Sequence, residues 1–154
     1  MASLSAEPQI SPSRHVVLRD VSWELYELLL KEVGDQHVLI TYDNGSMELL
    51  SPLREHEFWK TFIGRLIEVL TEELNIPIAG LGSTTYRRRD LAKGLEPDEC
   101  YHVQHEAQVR GKKRLDLRHD PPPDLVVEID IIRRDIAHEP IYTRLHRFEG
   151  SYEL

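Results

Sequence analysis

The stretch Asp120–Ile131, DPPPDLVVEIDI, constrains the fold more than any other part of this chain. Three prolines, Pro121 to Pro123, stiffen the approach, and the run after Asp124 is almost continuously apolar. Such a run is expected of a central strand buried on both faces. It carries two carboxylates, Glu128 and Asp130, at alternate positions. Side chains alternate along a strand, so both are expected on one face. Carboxylates on an apolar strand are costly to bury without a cation. Arg133 and Arg134 follow closely and offer one form of compensation. A metal ion offers another.

A second segment has the same form. In GLEPDECYHV, Gly94–Val103, a proline–aspartate step leads into an expected strand with Asp98 at its start. Asp98, Glu128 and Asp130 together would present hard oxygen ligands, which suit Mg²⁺ or Mn²⁺. An ion so held can bind a phosphate oxygen and activate a water, the chemistry of phosphodiester cleavage. Other chemistries lack their signatures. The eight histidines form neither H-x-x-x-H nor H-E-x-x-H, and the single cysteine, Cys100, permits no C-x-x-C pair. No phosphate-binding glycine loop and no G-x-S-x-G elbow is present.

The remaining chain reads as alternating elements. Ser22 and Gly34 bracket a helix whose Leu25, Leu28, Leu29 and Val33 recur at helical spacing. Asn44-Gly45 between two alternating runs predicts a hairpin with strands near 37–42 and 46–50. A long amphipathic helix is expected over 54–74, packing a stripe that includes Phe58, Phe62, Leu66, Leu70 and Leu74 on a central sheet. Strands are expected near 77–88, 97–104 and 124–131. A final helix follows, interrupted at Pro140. The order predicts one α/β domain over residues 16–154, after a mobile tail at 1–15.

A formal net charge of −8 argues against a nucleic-acid partner. Local charge qualifies that argument, because three basic clusters flank the expected acidic strands: residues 86–90 (YRRRD), 110–114 (RGKKR) and Arg133-Arg134. One cysteine suits a reducing cytoplasm. No apolar run approaches the roughly 18 residues that would span a bilayer, so no membrane partner is expected.

The segments YDNGSMELLSP, EHE, GLEPDECY, DPPPDLVVEIDI and PIY, taken together, resemble the Uma-type restriction endonucleases of the PD-(D/E)xK nuclease superfamily. The resemblance runs from about Trp23 to Tyr142. It implies a restriction-endonuclease-like core, with a central mixed β-sheet flanked by helices. It also implies metal-dependent hydrolysis of DNA, with Asp98 and Glu128 as metal ligands and the main-chain carbonyl of Ile129 as a third. Glu48 and His56 match positions near the site, and Asp130 adds a carboxylate beside it. A homodimer is a further expectation.

Two departures qualify this. Asp130 stands where the superfamily pattern has lysine. In similar proteins the lysine often moves to the next helix, four residues before a tyrosine; Tyr142 sets that position at His138. The C-terminal region also resembles a shortened version of the family's last segment, with a piece missing between Leu145 and Arg147. Two functions therefore compete. One is a Mg²⁺- or Mn²⁺-dependent DNA endonuclease using Asp98, Glu128 and His138. The other is a catalytically impaired nuclease-fold protein that binds nucleic acid or a protein partner without turnover.

Overall fold

The computed structural model describes residues 14–131 and 133–146. In chain order its elements are β1 (Arg14–Leu18), α1 (Trp23–Val33), β2 (Leu39–Asp43), β3 (Ser46–Ser51), α2 (Arg54–Glu73), β4 (Ala79–Gly80), β5 (Tyr86–Arg88), β6 (Lys93–Leu95), β7 (Glu99–His102), α3 (Glu106–Val109), β8 (Leu125–Val127) and α4 (His138–His146). The chain is mixed α/β, consistent with a restriction-endonuclease-like fold.

Asn44 and Gly45 both take positive φ, 47° and 86°, the backbone of a tight hairpin turn. They join β2 to β3 with Asp43 opposite Ser46 and Leu39 opposite Leu50. β1 pairs on the other side of β3, with Arg14 opposite Ser51. The tail expected at 1–15 therefore ends inside a strand; residues 1–13 lie outside the described residues. The full order of this sheet is β1-β3-β2-β6-β5.

The expected single mixed sheet is instead two sheets, the second having the order β4-β7-β8 with antiparallel pairing throughout. DLVVEIDI is not a central strand. It contributes only Leu125–Val127, paired on one side to β7, and Leu125 is 42% exposed. Local side chains explain the short pairing. The Asp124 carboxylate accepts the Val103 and Gln104 amides at 2.6 and 2.9 Å, and so caps the turn after β7. At the other end the Ile129 amide donates to the Asp98 side chain at 2.6 Å instead of to a neighbouring strand. Glu128 and Asp130 thus lie just past the strand, where alternation no longer governs them.

Helix α1 has the expected caps: Ser22 Oγ accepts the Leu25 amide at 3.2 Å, and Gly34 takes φ 53°. Its face differs from the expectation. Leu25 and Leu28 are exposed, while Trp23 and Tyr26 are buried against Tyr42. The three rings meet edge-on or stacked, with centroids 4.9 to 5.3 Å apart, an arrangement that aromatic pairs prefer. A second core gathers Leu95, Cys100, Leu117, Ile141 and Leu145 between β6, β7 and α4.

Helix α2 spans the expected residues but does not pack its expected stripe. Phe58, Phe62, Leu66, Leu70 and Leu74 are all exposed. The inward face is His56, Gly64 and the half-buried Lys60, Ile63 and Ile67. Gly64 permits the approach, since a Cβ there would lie 3.1 Å from the Tyr101 hydroxyl. Helix α4 begins at His138, so Pro140 falls in its first turn. Amides there have no intrahelical partner to lose. The proline therefore does not interrupt the helix as expected.

Candidate functional site

Arg134 stands at the centre of the predicted acidic residues. Its Nη2 donates to Glu128 Oε2 at 3.0 Å and to Asp98 Oδ2 at 3.4 Å, and its Nε donates to Asp130 Oδ1 at 3.2 Å. Three carboxylates that the chain separates by up to 32 residues thus meet one guanidinium. Asp98 is fully buried immediately before β7. Glu128 is half-buried and Asp130 is exposed.

Each of the two inner carboxylates has further donors. Asp98 Oδ2 takes the Ile129 amide, and His56 Nε2 lies 2.9 Å from Asp98 Oδ1. That second contact is off the line of a well-directed hydrogen bond, so Oδ1 is a buried oxygen without an aligned donor. Burial alone would raise the Asp98 carboxyl, but His56, the Ile129 amide and Arg134 outweigh it and hold it below its ordinary value. His56 is raised in turn, chiefly by Asp98. Glu128 Oε1 accepts from His138 Nδ1 at 2.6 Å and from the Tyr142 hydroxyl at 2.5 Å. Burial and the Glu128 charge push the Tyr142 hydroxyl pKa up, so it stays a donor.

His138 is buried, with both ring nitrogens engaged. Nε2 faces Thr41 Oγ1 at 2.8 Å and Arg134 Nη1 at 3.4 Å. Nδ1 faces Glu128 Oε1 at 2.6 Å. Glu48 is buried on β3 and accepts the Ile136 amide at 2.9 Å, with His15 Nε2 at 2.8 Å from its other oxygen. It holds the segment between Arg134 and His138 rather than reaching the three carboxylates.

A cleft of about 1040 Å³ opens on the Glu128 side and is lined by Asp130, Arg133, Arg134, His138 and Tyr142 among others. A smaller one of about 230 Å³ reaches Asp98 from the α2 side, past His56, Lys60 and Ser83.

The Uma2 family model, described as Putative restriction endonuclease, matches residues 23–133. The chain belongs to the Uma2 family. Neither the curated proteins nor the solved structures gave a match.

For a Uma2 chain the question is whether these residues fit a divalent ion. Among the described residues no three histidine, cysteine or acidic side chains are arranged so that together they could hold a metal ion. Mg²⁺ does not need three; it is commonly held by one or two carboxylates and keeps several waters. Asp98 and Glu128 offer hard oxygens directed at one point, now taken by Arg134, and Asp98 Oδ1 has no aligned donor. The donor set fits. The Ile129 amide, rather than its carbonyl, makes the contact with Asp98.

Two of the three basic clusters do not join this Uma2 site. Arg87 and Arg89 pair with Glu27 and Glu24 of α1, Arg110 pairs with Glu106, and Lys112 pairs with Asp120. Only Arg133-Arg134 lines the larger cleft. Sequence reasoning offered Arg133 and Arg134 as partners of Glu128 and Asp130, and Arg134 pairs with both; it missed the reach of Arg134 to Asp98, the donors Thr41 and Tyr142, and Lys60. Lys60 donates to Ser83 Oγ at 3.2 Å beside Asp98. Its spacing of four from His56 was a usable signal, since both then share one helix face. Among the described residues no helix is long and apolar enough to cross a membrane.

Proposed function

We propose that this Uma2 chain is a metal-dependent DNA endonuclease in which Asp98 and Glu128, with the Ile129 carbonyl, hold Mg²⁺ or Mn²⁺. The observation that carries this is the meeting of two carboxylates, 30 residues apart in sequence, on one cationic nitrogen beside an open cleft. When bound, the ion would supply Lewis acidity and a water of lowered pKa. The chain's own residues do the rest. Asp98 is kept ionised by its donors. Tyr142 and His138 fix the orientation of Glu128. Arg134, which holds Asp98 and Glu128 in this structure, would have to leave them when an ion is held there, and its planar fork then suits a phosphate in the adjoining cleft. His138 orients Glu128 through Nδ1 and stands where the family resemblance places the lysine.

Plasmid nicking with Mg²⁺ or Mn²⁺ tests this. Asp98→Ala and Glu128→Ala should each lower the rate by at least about 100-fold, the upper end of what losing a mere partner of a metal ligand costs. His138→Ala should lower it less, and His138→Lys should not exceed wild type. Equal rates for wild type and Asp98→Ala would refute the proposal.

The second reading is a nuclease-fold protein that binds nucleic acid without turnover. It is favoured by the engagement of Arg134 with all three carboxylates. It requires that calorimetry show no Mn²⁺ uptake and that DNA binding be unchanged by a chelator.

A further inference from the structure

Arg134 is held by several partners and tightly by none of them. Its side chain is only 8% exposed, yet its contacts to Glu128, Asp130, Asp98 and His138 run from 3.0 to 3.4 Å. Charge-assisted hydrogen bonds from nitrogen ordinarily lie near about 2.7–2.9 Å. Each carboxylate receives a single N–H from Arg134, so the guanidinium meets no acid with two parallel bonds. Arg110, on the exposed surface, is bound more tightly. Its Nε and Nη2 reach the two oxygens of Glu106 at 2.6 and 2.8 Å. Three carboxylates outnumber the one guanidinium of Arg134, which serves them as a shared counter-ion rather than as half of a built pair. Its Nη2 touches one oxygen of Glu128 and one of Asp98. It and a divalent ion shared by those two carboxylates would repel each other at close range.

Resting on the metal reading of the site, we propose that Arg134 is an exchangeable counter-ion that couples the binding of the ion to the binding of nucleic acid. An ion at Asp98 and Glu128 expels the Nη2 end of the guanidinium. Asp130 is 67% exposed and lines the large cleft, so it keeps the arginine at the site as that end turns outward. The freed edge then offers a phosphate two parallel N–H groups, the fork that it does not use on the carboxylates. A guanidinium moved off its acids without a new anion is left with unmatched charge. Ion binding alone is therefore held back, and a backbone phosphate in the cleft completes it. By linkage the phosphate strengthens the ion by the same factor as the ion strengthens the phosphate. Arg133, the next residue along the chain, has a different part. It is exposed on the same cleft and meets a phosphate whether or not an ion is held. The pair thus divides into one arginine that always binds the backbone and one that binds it only when the ion is in place.

Arg133→Gln and Arg134→Gln remove the same charge one residue apart, so comparing them tests the division. Mn²⁺ affinity is measured by calorimetry, and DNA affinity by the anisotropy of a short labelled duplex, with a gel to confirm that the duplex is intact. Without DNA, Arg134→Gln should bind Mn²⁺ about tenfold more tightly than wild type, a coupling of ordinary size. Arg133→Gln should change that affinity by at most about twofold, because an exposed charge is screened. With a chelator present, Arg134→Gln should bind the duplex as wild type does, and Arg133→Gln more weakly. With Mn²⁺ present, both should bind it more weakly than wild type. Circular dichroism checks the fold. If Arg134→Gln does not fold, Arg134→Lys, which keeps the charge without the fork, is measured in its place and should shift both affinities in the same directions. Asp98→Ala should abolish Mn²⁺ uptake, which assigns the ion to this site. Equal Mn²⁺ affinity in wild type and the Arg134 variant overturns the exchange and leaves the metal reading standing. So does an Arg134 variant that weakens duplex binding as much with the chelator as with Mn²⁺. Uptake that survives Asp98→Ala, or none in wild type and the Arg134 variant alike, overturns the metal reading and the exchange with it.

Discussion

The close His56–Asp98 contact ties two titrations together, and its sign can be worked out at each end. His56 is raised above its ordinary 6.5, so its contribution to stability is complete below that value and is lost as pH rises through the folded value. Asp98 is lowered below its ordinary 3.8, so its contribution is present above that value and is lost as pH falls through the folded one. Stability plotted against pH should therefore fall on both flanks. His56→Gln should flatten the alkaline flank, and Asp98→Asn should flatten both; urea midpoints across pH 3 to 9 would check this. Arg134 carries a separate prediction. It is nearly buried, so Arg134→Gln should cost about 2–4 kcal/mol by leaving carboxylates without their cation. Millimolar Mn²⁺ should recover much of that loss, and should bind the variant more tightly than the wild type. A variant as stable as wild type would show that Arg134 does not compensate the carboxylates. The approach of Asp98 and Glu128 to one point was expected from carboxylates beside two apolar runs, although both lie just outside their strands rather than within them. Arg134 was legible as a partner for Glu128 and Asp130, which it meets, but not for Asp98. A basic pair in the sequence does not say which acids it will meet, and only the fold brings Asp98 and Glu128 to the same guanidinium.

Helices and strands were legible to different depths. The Asn44-Gly45 turn and the Ser22 and Gly34 caps follow from backbone chemistry that needs no partner, and they stand where expected. The buried faces of α1 and α2 do not follow, because periodicity identifies a stripe without saying what will lie against it. In α1 the choice fell to rings. Tyr26 is fully buried, and its hydroxyl has no hydrogen-bond partner. Tyr26→Phe should therefore be neutral or stabilising by up to about 1 kcal/mol, since an unpaired buried hydroxyl is removed. The same ring explains a glycine. A Cβ at Gly94 would lie 2.1 Å from the Tyr26 oxygen and 2.7 Å from its Cζ. Gly94→Ala should cost about 1–3 kcal/mol by overpacking. Tyr26→Phe should relieve that cost only in part, because Cζ remains. Thermal denaturation of the two single variants and the double variant would give the coupling directly. Strands β1 and β6 were missed because neither shows a long alternating run: β6 is Lys93-Gly94-Leu95, and its burial comes from neighbours on both sides.

At the scale of the whole molecule the charge distribution bears on nucleic acid. The chain carries −8, and two of its three basic clusters are engaged with acidic neighbours. A duplex held chiefly through Arg133 and Arg134 should show a shallow salt dependence, with a slope of about −2 in log K against log salt. A slope near −6 would mean that the other clusters also reach phosphate. The site has one more property, and it concerns the order of folding. Its contacts join residues far apart in the chain: Thr41 to His138 across 97 positions, Glu48 to Ile136 across 88 and Asp98 to Arg134 across 36. Closing loops of that length costs entropy before any contact repays it. These links should therefore form after the folding barrier. Thr41→Ala and Glu48→Gln should speed unfolding while leaving the refolding rate nearly unchanged, as a stopped-flow chevron would show. During synthesis the same separation means that the N-terminal hairpin emerges with Glu48 lacking the Ile136 amide. Asp98 follows it without the Ile129 amide or Arg134. The interior then stays open until the segment around residues 129–138 arrives to close it.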